Sequence, residues 1–267
     1  DAEPAALDAA RVQQTLAGGR FGNPLHYFRE IGSTNSHARQ LAEAGATEGT
    51  VVVAESQSQG RGRLGRRWES PAFTNLYLSI LLRPKLAPAH AAQITLMAAV
   101  ALADVINGYV PGQAAIKWPN DILIGKKKLA GILTEASCDA ERIHYVILGI
   151  GINLNYAADA MPDDIRRRAT SLLEITGKPV QRESFLQGLL QGIERCYGEL
   201  ELAGFAALAQ RWQSYFAWRG RRVRVESFDQ VTIGTAKGID KDGALMLIDD
   251  QGREQRILAG DVIPLEN

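Results

Sequence analysis

The segment from Gln59 to Trp68 places the strongest constraint on the fold, because it follows the pattern of neither a helix nor a strand. It reads Q-G-R-G-R-L-G-R-R-W, with three glycines, four arginines and no apolar period. Glycine lets a backbone wrap closely around a ligand, and the planar guanidinium of arginine pairs with two oxygens of a phosphate or carboxylate at once. We therefore predict a loop over Glu55–Pro71 that binds an anion.

Other interpretations of this segment stay open at the level of the sequence. A flexible, solvated arginine-glycine loop and an RNA-binding segment have the same composition. A Walker A phosphate loop is disfavoured, since that motif needs Gly-Lys followed by Ser or Thr at the start of a helix, whereas a strand is predicted after Trp68. A kinase that transfers a γ-phosphate is disfavoured with it.

Apolar periodicity predicts a mixture of helices and strands around this loop. The predicted elements are a helix over Leu7–Leu16, a strand over His26–Ile31, a helix from Ser33 to about Ala44, strands over Thr50–Ala54 and Asn75–Leu82, a helix over Pro88–Tyr109, a hairpin over Ala115–Glu135 that turns at Gly125 and Lys126, a strand over Ile143–Leu154, and a helix through Phe185 and Leu200. Short strands follow from about Trp218, over Arg222–Val225, Val231–Ile239, Ala244–Ile248 and Glu254–Leu258. They predict a small β-barrel at the C-terminal end.

A second motif, K-W-P-N-D over Lys117–Asp121, is followed by Lys128 in the sequence K-L-A-G-I-L-T-E. The predicted hairpin separates the two lysines. On antiparallel strands both ammonium groups could enter one cleft, where a low dielectric strengthens their attraction for phosphate oxygens. A tight turn followed by a run of surface lysines, Lys126–Lys128, is the alternative.

Two weaker motifs are ambiguous when each is taken alone. G-I-G-I-N over Gly149–Asn153 is typical of a strand whose small residues allow close packing. The cluster Ser33-Thr34-Asn35 is typical of a helix N-cap. Their value for function depends on the motifs that accompany them.

Composition excludes some classes of function. Thirty basic and thirty acidic side chains give a formal net charge of +0, so no global field draws the chain to nucleic acid or to an anionic membrane. We find no signal peptide and expect no apolar run long enough to span a bilayer. A cytoplasmic, soluble protein with no membrane contact is therefore expected.

The motifs together occur in the order found in biotin protein ligases, and the chain resembles that family over roughly Leu25–Leu154. The six motifs are Ser33-Thr34-Asn35, Glu55-Ser56-Gln57, the Gly60–Trp68 loop, K-W-P-N-D, K-L-A-G-I-L and G-I-G-I-N. The resemblance implies an α+β fold, with a mixed β-sheet flanked by helices as in the class II aminoacyl-tRNA synthetase core. It implies this catalytic domain over residues 1–217 and a small SH3-like β-barrel over residues 218–267.

The same resemblance implies roles for residues of this chain. Polar side chains recognise the neutral ureido head of biotin: Ser33, Thr34, Asn35 and Gln57. The glycine-rich loop, which includes Gly60, covers the valerate tail and the phosphate through Arg61, Gly62 and Arg63. Lys128 and the backbone near Gly131 hold the carboxylate and the α-phosphate. Trp68 stacks near the adenylate, and Asn120 and Asn153 meet the nucleotide. Lys117 and Asp121 serve the phosphates and Mg²⁺, and the implied catalytic residues are Lys128, Arg63 and Lys117.

The implied activity is that of an AMP-forming ligase. Biotin and ATP give biotinyl-AMP and pyrophosphate, and biotin then passes to a lysine of the biotin carboxyl carrier protein of a biotin-dependent carboxylase. Only about 25 residues precede the first predicted strand, too few for a winged helix-turn-helix. We therefore expect the monofunctional form without DNA binding, and the sequence leaves a homodimer open.

Two rival functions remain at this stage. A lipoate protein ligase shares the fold and the adenylate chemistry of the family. A nucleic-acid-binding protein could use the arginine loop together with Arg219, Arg221, Arg222 and Arg224 at the start of the C-terminal strands, although the neutral net charge argues against it.

Overall fold

A computed structural model of the chain describes residues 6–227 and 230–265. The helices in these residues are α1 (Ala9–Thr15), α2 (Thr34–Glu43), α3 (Ala92–Asn107), α4 (Asp163–Arg168), α5 (Leu172–Thr176), α6 (Arg182–Ala203) and α7 (Ala206–Tyr215). The strands are β1 (Leu25–Ile31), β2 (Val51–Gln57), β3 (Leu76–Leu82), β4 (Ala114–Lys117), β5 (Asp121–Ile124), β6 (Lys127–Cys138), β7 (Ile143–Ile152), β8 (Arg222–Glu226), β9 (Val231–Ile239), β10 (Leu245–Ile248), β11 (Glu254–Ile257) and β12 (Asp261–Pro264).

A seven-stranded mixed sheet forms the centre of the larger domain. Its order is β1-β2-β3-β7-β6-β5-β4, in which β1 and β2 are parallel and the other neighbours are antiparallel. Helix α2 packs on one face, where Val52 joins Leu81 and Ile147 in a small apolar cluster. Val51 and Val53 point to the other face and the main core. Burial on both faces explains why β2 is a continuous apolar run rather than an alternating one.

The fold class predicted from the sequence is confirmed: a mixed sheet flanked by helices, with a small C-terminal antiparallel β-domain of the SH3-like kind. The strands of the small domain are ordered β11-β10-β9-β8-β12. The boundary at residues 217 and 218 stays a prediction. The outer limits of the two predicted domains, residues 1 and 267, lie outside the described residues.

Several predicted element bounds were wrong. Strand β2 continues through Gln57, so the loop begins later than predicted. The Ala115–Glu135 segment forms three strands rather than one hairpin, because K-W-P-N-D is itself a turn between β4 and β5. The helix predicted from Pro88 begins with a 3-10 turn and becomes α-helical at Ala92. A strand over Asp261–Pro264 was missed.

Helix α3 also corrects the expectation about apolar runs. The 20-residue stretch Pro88–Asn107 is long and apolar enough, by length and composition, to cross a membrane. In this fold α3 packs against α6, α7 and the strands β4 to β6, and most of its residues are buried. Its apolar composition is therefore accounted for by its place in the core of the larger domain.

The small domain is attached to the turn that carries K-W-P-N-D. The indole of Trp118 is buried, and its Nε1 donates a hydrogen bond to the Gly243 carbonyl at 3.1 Å. The side chain of Gln93, on α3, donates to the Lys241 carbonyl at 3.2 Å. The first contact fixes the small domain against the turn, and the second fixes it against α3.

A buried ion pair anchors the strand that leads to the loop. Glu55 on β2 is 1% exposed and Arg182 at the start of α6 is 6% exposed, and their side chains approach to 2.6 Å. The Glu55 carboxylate also accepts hydrogen bonds from the Leu7 amide at 2.6 Å and the Tyr27 hydroxyl at 3.0 Å. One carboxylate therefore ties four separate segments of the chain together.

We expect Glu55→Gln to lower the free energy of unfolding in urea by about 3 kcal/mol, because the substitution removes one charge of a buried ion pair while the Arg182 charge stays buried. Glu199→Gln is the matched control, since Glu199 pairs with Arg211 at the partly exposed surface and such pairs contribute about 1 kcal/mol or less. Equal losses in the two variants would contradict the role given to Glu55.

Candidate active site

Three glycines on paired strands form the floor of the site. Gly131 on β6 lies directly opposite Gly151 on β7, and Gly149, opposite Leu133, lies two residues further along β7. These residues share the α2 face of the sheet, because residues two apart on a strand point to the same side. An added Cβ at Gly149 would lie 2.0 Å from the Asn35 side-chain oxygen, and one at Gly151 would lie 2.5 Å from the Trp68 ring. The side chains of Asn35 and Trp68 therefore lie directly against the backbone of the sheet at these glycines.

The first wall of the site is a network of neutral polar side chains at the N-terminus of α2. Ser33 is the N-cap of this helix. The amide and hydroxyl of Thr34 donate to the side-chain oxygen of Gln57 at 2.9 and 3.1 Å. Ser79 on β3 is fully buried, and its hydroxyl donates to Asn35 at 2.6 Å and lies 2.8 Å from the Thr34 hydroxyl. The N-cap interpretation of the motif is correct, and the same residues also line the cavity.

The glycine-rich loop forms the roof. Its two ends are joined by a hydrogen bond from the Trp68 amide to the Gly60 carbonyl at 3.0 Å. The indole of Trp68 lies across Gly131 and Gly151. The ammonium group of Lys128 is 5.2 Å from the centre of that ring, within the range of a cation–π interaction.

The second wall carries the charged groups of K-W-P-N-D and of the small domain. Lys128 Nζ lies 2.7 Å from the Asp121 carboxylate, and Lys117 Nζ lies 2.9 Å from the Asp261 carboxylate. Asn120 is buried, and its amide donates to the Ile132 carbonyl at 2.7 Å. Each lysine therefore has an acidic partner within the chain.

Contacts with the small domain also reach the loop. Arg63 donates to the Asn120 side-chain oxygen at 3.2 Å and to the Gly260 carbonyl at 3.5 Å, and Arg66 pairs with Asp261 at 2.7 Å. Burial lowers the pKa of Arg63, with Asp121 and Asp261 acting in the opposite direction; arginine nevertheless stays charged in proteins. Burial acts to raise the pKa of Asp261, but Lys117 and Arg66 bring it below its ordinary value.

The structure brings most of the predicted site residues together. One cavity is lined by Ser33, Thr34, Asn35, Gln57, Arg61, Gly62, Arg63, Trp68, Asn120, Lys128 and Gly131. An adjoining groove shares Arg63, Trp68, Asn120 and Lys128 with that cavity and adds Lys117, Asp121 and Asn153. Gly60 lines neither. Its role is backbone approach, since an added Cβ there would lie 2.4 Å from the Trp68 carbonyl.

Three residues of the site were missed by the sequence reasoning. Ser79 lies in an otherwise apolar strand, and its polar side chain within that apolar run was the available signal. Glu135 ends the K-L-A-G-I-L-T-E segment, where it accepts hydrogen bonds from Asn35 and Arg61. Asp261 begins the strand that was not predicted.

The donor set for a metal ion is sparse. Among residues 6–227 and 230–265, no group of three or more His, Cys, Asp or Glu side chains could hold a metal ion. Magnesium needs only one or two carboxylates when phosphate oxygens and water complete its shell. Asp121 is one of the acidic residues that line the groove, and its carboxylate fits that arrangement.

Comparison with known proteins agrees with this geometry. The sequence profile of the Biotin/lipoate A/B protein ligase family matches residues 27–153, and that of the Biotin protein ligase C terminal domain matches residues 220–263. The Bifunctional ligase/repressor BirA of Bacillus spizizenii is 37% identical over 97% of this chain and 80% of its own length. The Biotin--[acetyl-CoA-carboxylase] ligase of Mycobacterium tuberculosis is 34% identical over 97% of this chain and 96% of its own length.

A solved structure shares the whole fold. The biotin protein ligase from Aquifex aeolicus in complex with biotin and ATP superposes with a TM-score of 0.78 and 30% sequence identity, over 91% of this chain and 99% of that chain. Fold and site therefore define a ligase of the biotin and lipoate class. The chain belongs to the biotin protein ligase family.

We expect Gly149→Ala to lower the free energy of unfolding by about 1 to 3 kcal/mol, the usual cost of forcing extra atoms into a packed site. The new methyl group would displace Asn35 from its hydrogen bonds. Gly188→Ala, in α6 with nothing within 4 Å of the added Cβ, is the control and should gain up to about 1 kcal/mol. Urea unfolding measures both, and a wild-type midpoint for Gly149→Ala would argue against the close contact.

Proposed function

We propose that this chain activates biotin with ATP to biotinyl-AMP and transfers the biotinyl group to a lysine of a biotin carboxyl carrier protein. The observation that carries the proposal is the chemistry of one cavity. Neutral hydrogen-bonding groups line one side of it, Lys128 and the loop arginines line the other, and a groove with further cations adjoins it. A ligand with a polar, uncharged head and an anionic tail that reacts with a nucleotide suits this distribution.

The part of the cavity formed by the neutral polar residues, here called the head-group pocket, would bind the ureido ring of biotin. Ser33, Thr34, Asn35 and Gln57 offer hydroxyl, amide and carbonyl groups that can satisfy its two N–H donors and its oxygen. A buried polar group left unpaired costs about 1 to 3 kcal/mol. The pocket would therefore reject analogues that lack these groups.

The cations would promote the first step. A carboxylate oxygen of biotin attacks the α-phosphorus of ATP, a new P–O bond forms, and the bond to pyrophosphate breaks. Both reactants are anions, so Lys128 and Arg63 would offset their repulsion and align them, with Lys117 on the phosphates. Mg²⁺, when bound, would neutralise further phosphate charge, and Asp121 is the carboxylate that would hold it.

The loop would protect the product. Biotinyl-AMP is a mixed anhydride that water hydrolyses, and the loop from Gly60 to Trp68 lies over the floor where it would form. Trp68 would stack near the adenylate, while Asn120 and Asn153 would meet the nucleotide. Closure of this loop over the adenylate would exclude water until the carrier arrives.

The second step needs only access. The uncharged amine of the carrier lysine attacks the acyl carbon, an amide bond forms, and AMP leaves with the electrons of the broken C–O bond while the nitrogen gives up one proton to water. The acceptor would be the carrier of a biotin-dependent carboxylase, in agreement with the names of the relatives. Dimer formation, the absence of DNA binding and a cytoplasmic location stay predictions.

Incubation of the chain with ATP, Mg²⁺, biotin and a biotin carboxyl carrier domain tests the proposal. We expect the intact mass of the carrier to rise by one biotinyl group, and biotin to drive exchange of pyrophosphate into ATP. Exchange driven by lipoate instead of biotin would favour the lipoate ligase. Steeply salt-dependent binding of nucleic acid without any response to biotin would favour a nucleic-acid-binding protein.

We expect Lys128→Ala to slow single-turnover formation of biotinyl-AMP by at least about 100-fold, a typical loss when one transition-state charge donor is removed. Arg63→Ala is expected to lose adenylate formation or retention as well. Lys85→Ala, at an exposed position away from the cavity, is the matched control and should keep the wild-type rate. An unchanged rate in Lys128→Ala would contradict the assignment.

A further inference from the structure

We infer that Glu135 is a positioning residue that holds the glycine-rich loop closed by joining it to the head-group pocket. Glu135 lies on β6, four residues beyond Gly131 and on the same face of the sheet. It belongs to none of the groups assigned above to biotin or ATP. The inference rests on the proposed function, because it concerns the site where biotinyl-AMP would be held.

Its carboxylate joins the pocket and the loop through one oxygen. Oε2 accepts hydrogen bonds from the Asn35 amide at 2.7 Å and from the Arg61 guanidinium at 2.8 Å. Oε1 accepts from Arg39 on α2 at 3.1 Å. Two cations and a neutral amide therefore converge on one side chain, and charge-assisted hydrogen bonds of this kind are stronger than neutral ones.

A second connection leads to the other end of the loop. The side chain of Gln57 accepts hydrogen bonds from Thr34 and donates to the Ser70 hydroxyl at 3.2 Å, which donates to the Trp68 carbonyl at 3.2 Å. The head-group pocket is thus joined to Trp68 through Gln57 and to Arg61 through Glu135.

This arrangement couples the pocket to the loop. A ligand that orders Asn35 and Gln57 also orders Glu135 and Ser70, which contact Asn35 and Gln57 and to which the two ends of the loop are attached, so it favours the closed loop in addition to any direct contact with it. Contacts with the small domain hold the middle of the loop at Arg63 and Arg66, whereas the side chain at the Arg61 end is attached to the head-group pocket through Glu135. Loss of the carboxylate should therefore free that end first.

Glu135→Gln tests the inference. Glutamine keeps the length of the side chain but removes its negative charge, so the hydrogen bonds from Arg61 and Asn35 to this side chain lose their charge assistance. We expect preformed biotinyl-AMP to dissociate about tenfold faster from this variant, and trypsin to cleave the ligand-free loop faster at its arginines, with cleavage elsewhere unchanged. Arg39→Gln is the control and should stay within about twofold of wild type, because it leaves the contacts of Oε2 in place.

A double-variant comparison separates this role from general loosening of the fold. The double variant Glu135→Gln, Arg61→Gln should release biotinyl-AMP no faster than the faster of the two single variants, because both substitutions remove the same contact between Glu135 and Arg61. If the double variant released biotinyl-AMP faster by the product of the two single effects, the inference would be overturned. It would also be overturned if Glu135→Gln released biotinyl-AMP and was cleaved by trypsin at the wild-type rates. Tryptic cleavage of the loop is measured without biotin or ATP, so its result does not depend on the proposed function. The proposed function itself fails if the wild-type chain forms no biotinyl-AMP.

Discussion

The site depends on the absence of side chains at three paired positions of the sheet. Gly131, Gly149 and Gly151 leave the backbone bare just beyond the N-terminus of α2, so the Asn35 amide and the Trp68 ring can lie directly on the strands. On the opposite face the same stretch of β7 presents Ile150 and Ile152 to the core. The alternation in G-I-G-I-N thus satisfies two requirements at once: a packed core and an open floor.

Several cations of the site have an acidic partner within the chain before any anion binds. Asp121 faces Lys128, Asp261 faces Lys117 and Arg66, and Glu135 faces Arg61. A phosphate or carboxylate ligand therefore exchanges with these acidic partners rather than meeting bare cations. This arrangement accounts for a site rich in cations in a chain of formal net charge +0, and it explains why net charge alone said so little about function.

Much of the fold followed from local pattern. The continuous apolar run of β2, the N-cap at Ser33 and the period of α6 were readable because each depends on neighbours within a few positions. The three-stranded arrangement around K-W-P-N-D could not be predicted in this way. A short strand between two turns has the same apolar pattern as one arm of a longer hairpin. The strand that begins at Asp261 was missed for a related reason, because a strand of four residues is too short to show a hydrophobic period.

The sequence by itself determined the family, the fold class and the residues that approach the cavity, because motif order and hydrophobic period are properties of the chain alone. The tertiary structure decided which acids hold which cations. Arg61 and Glu135 are 74 positions apart, and Asp261 reaches Lys117 from a different domain. No local period encodes such a pairing, since it exists only once strand register and domain attachment bring the two groups within hydrogen-bond distance.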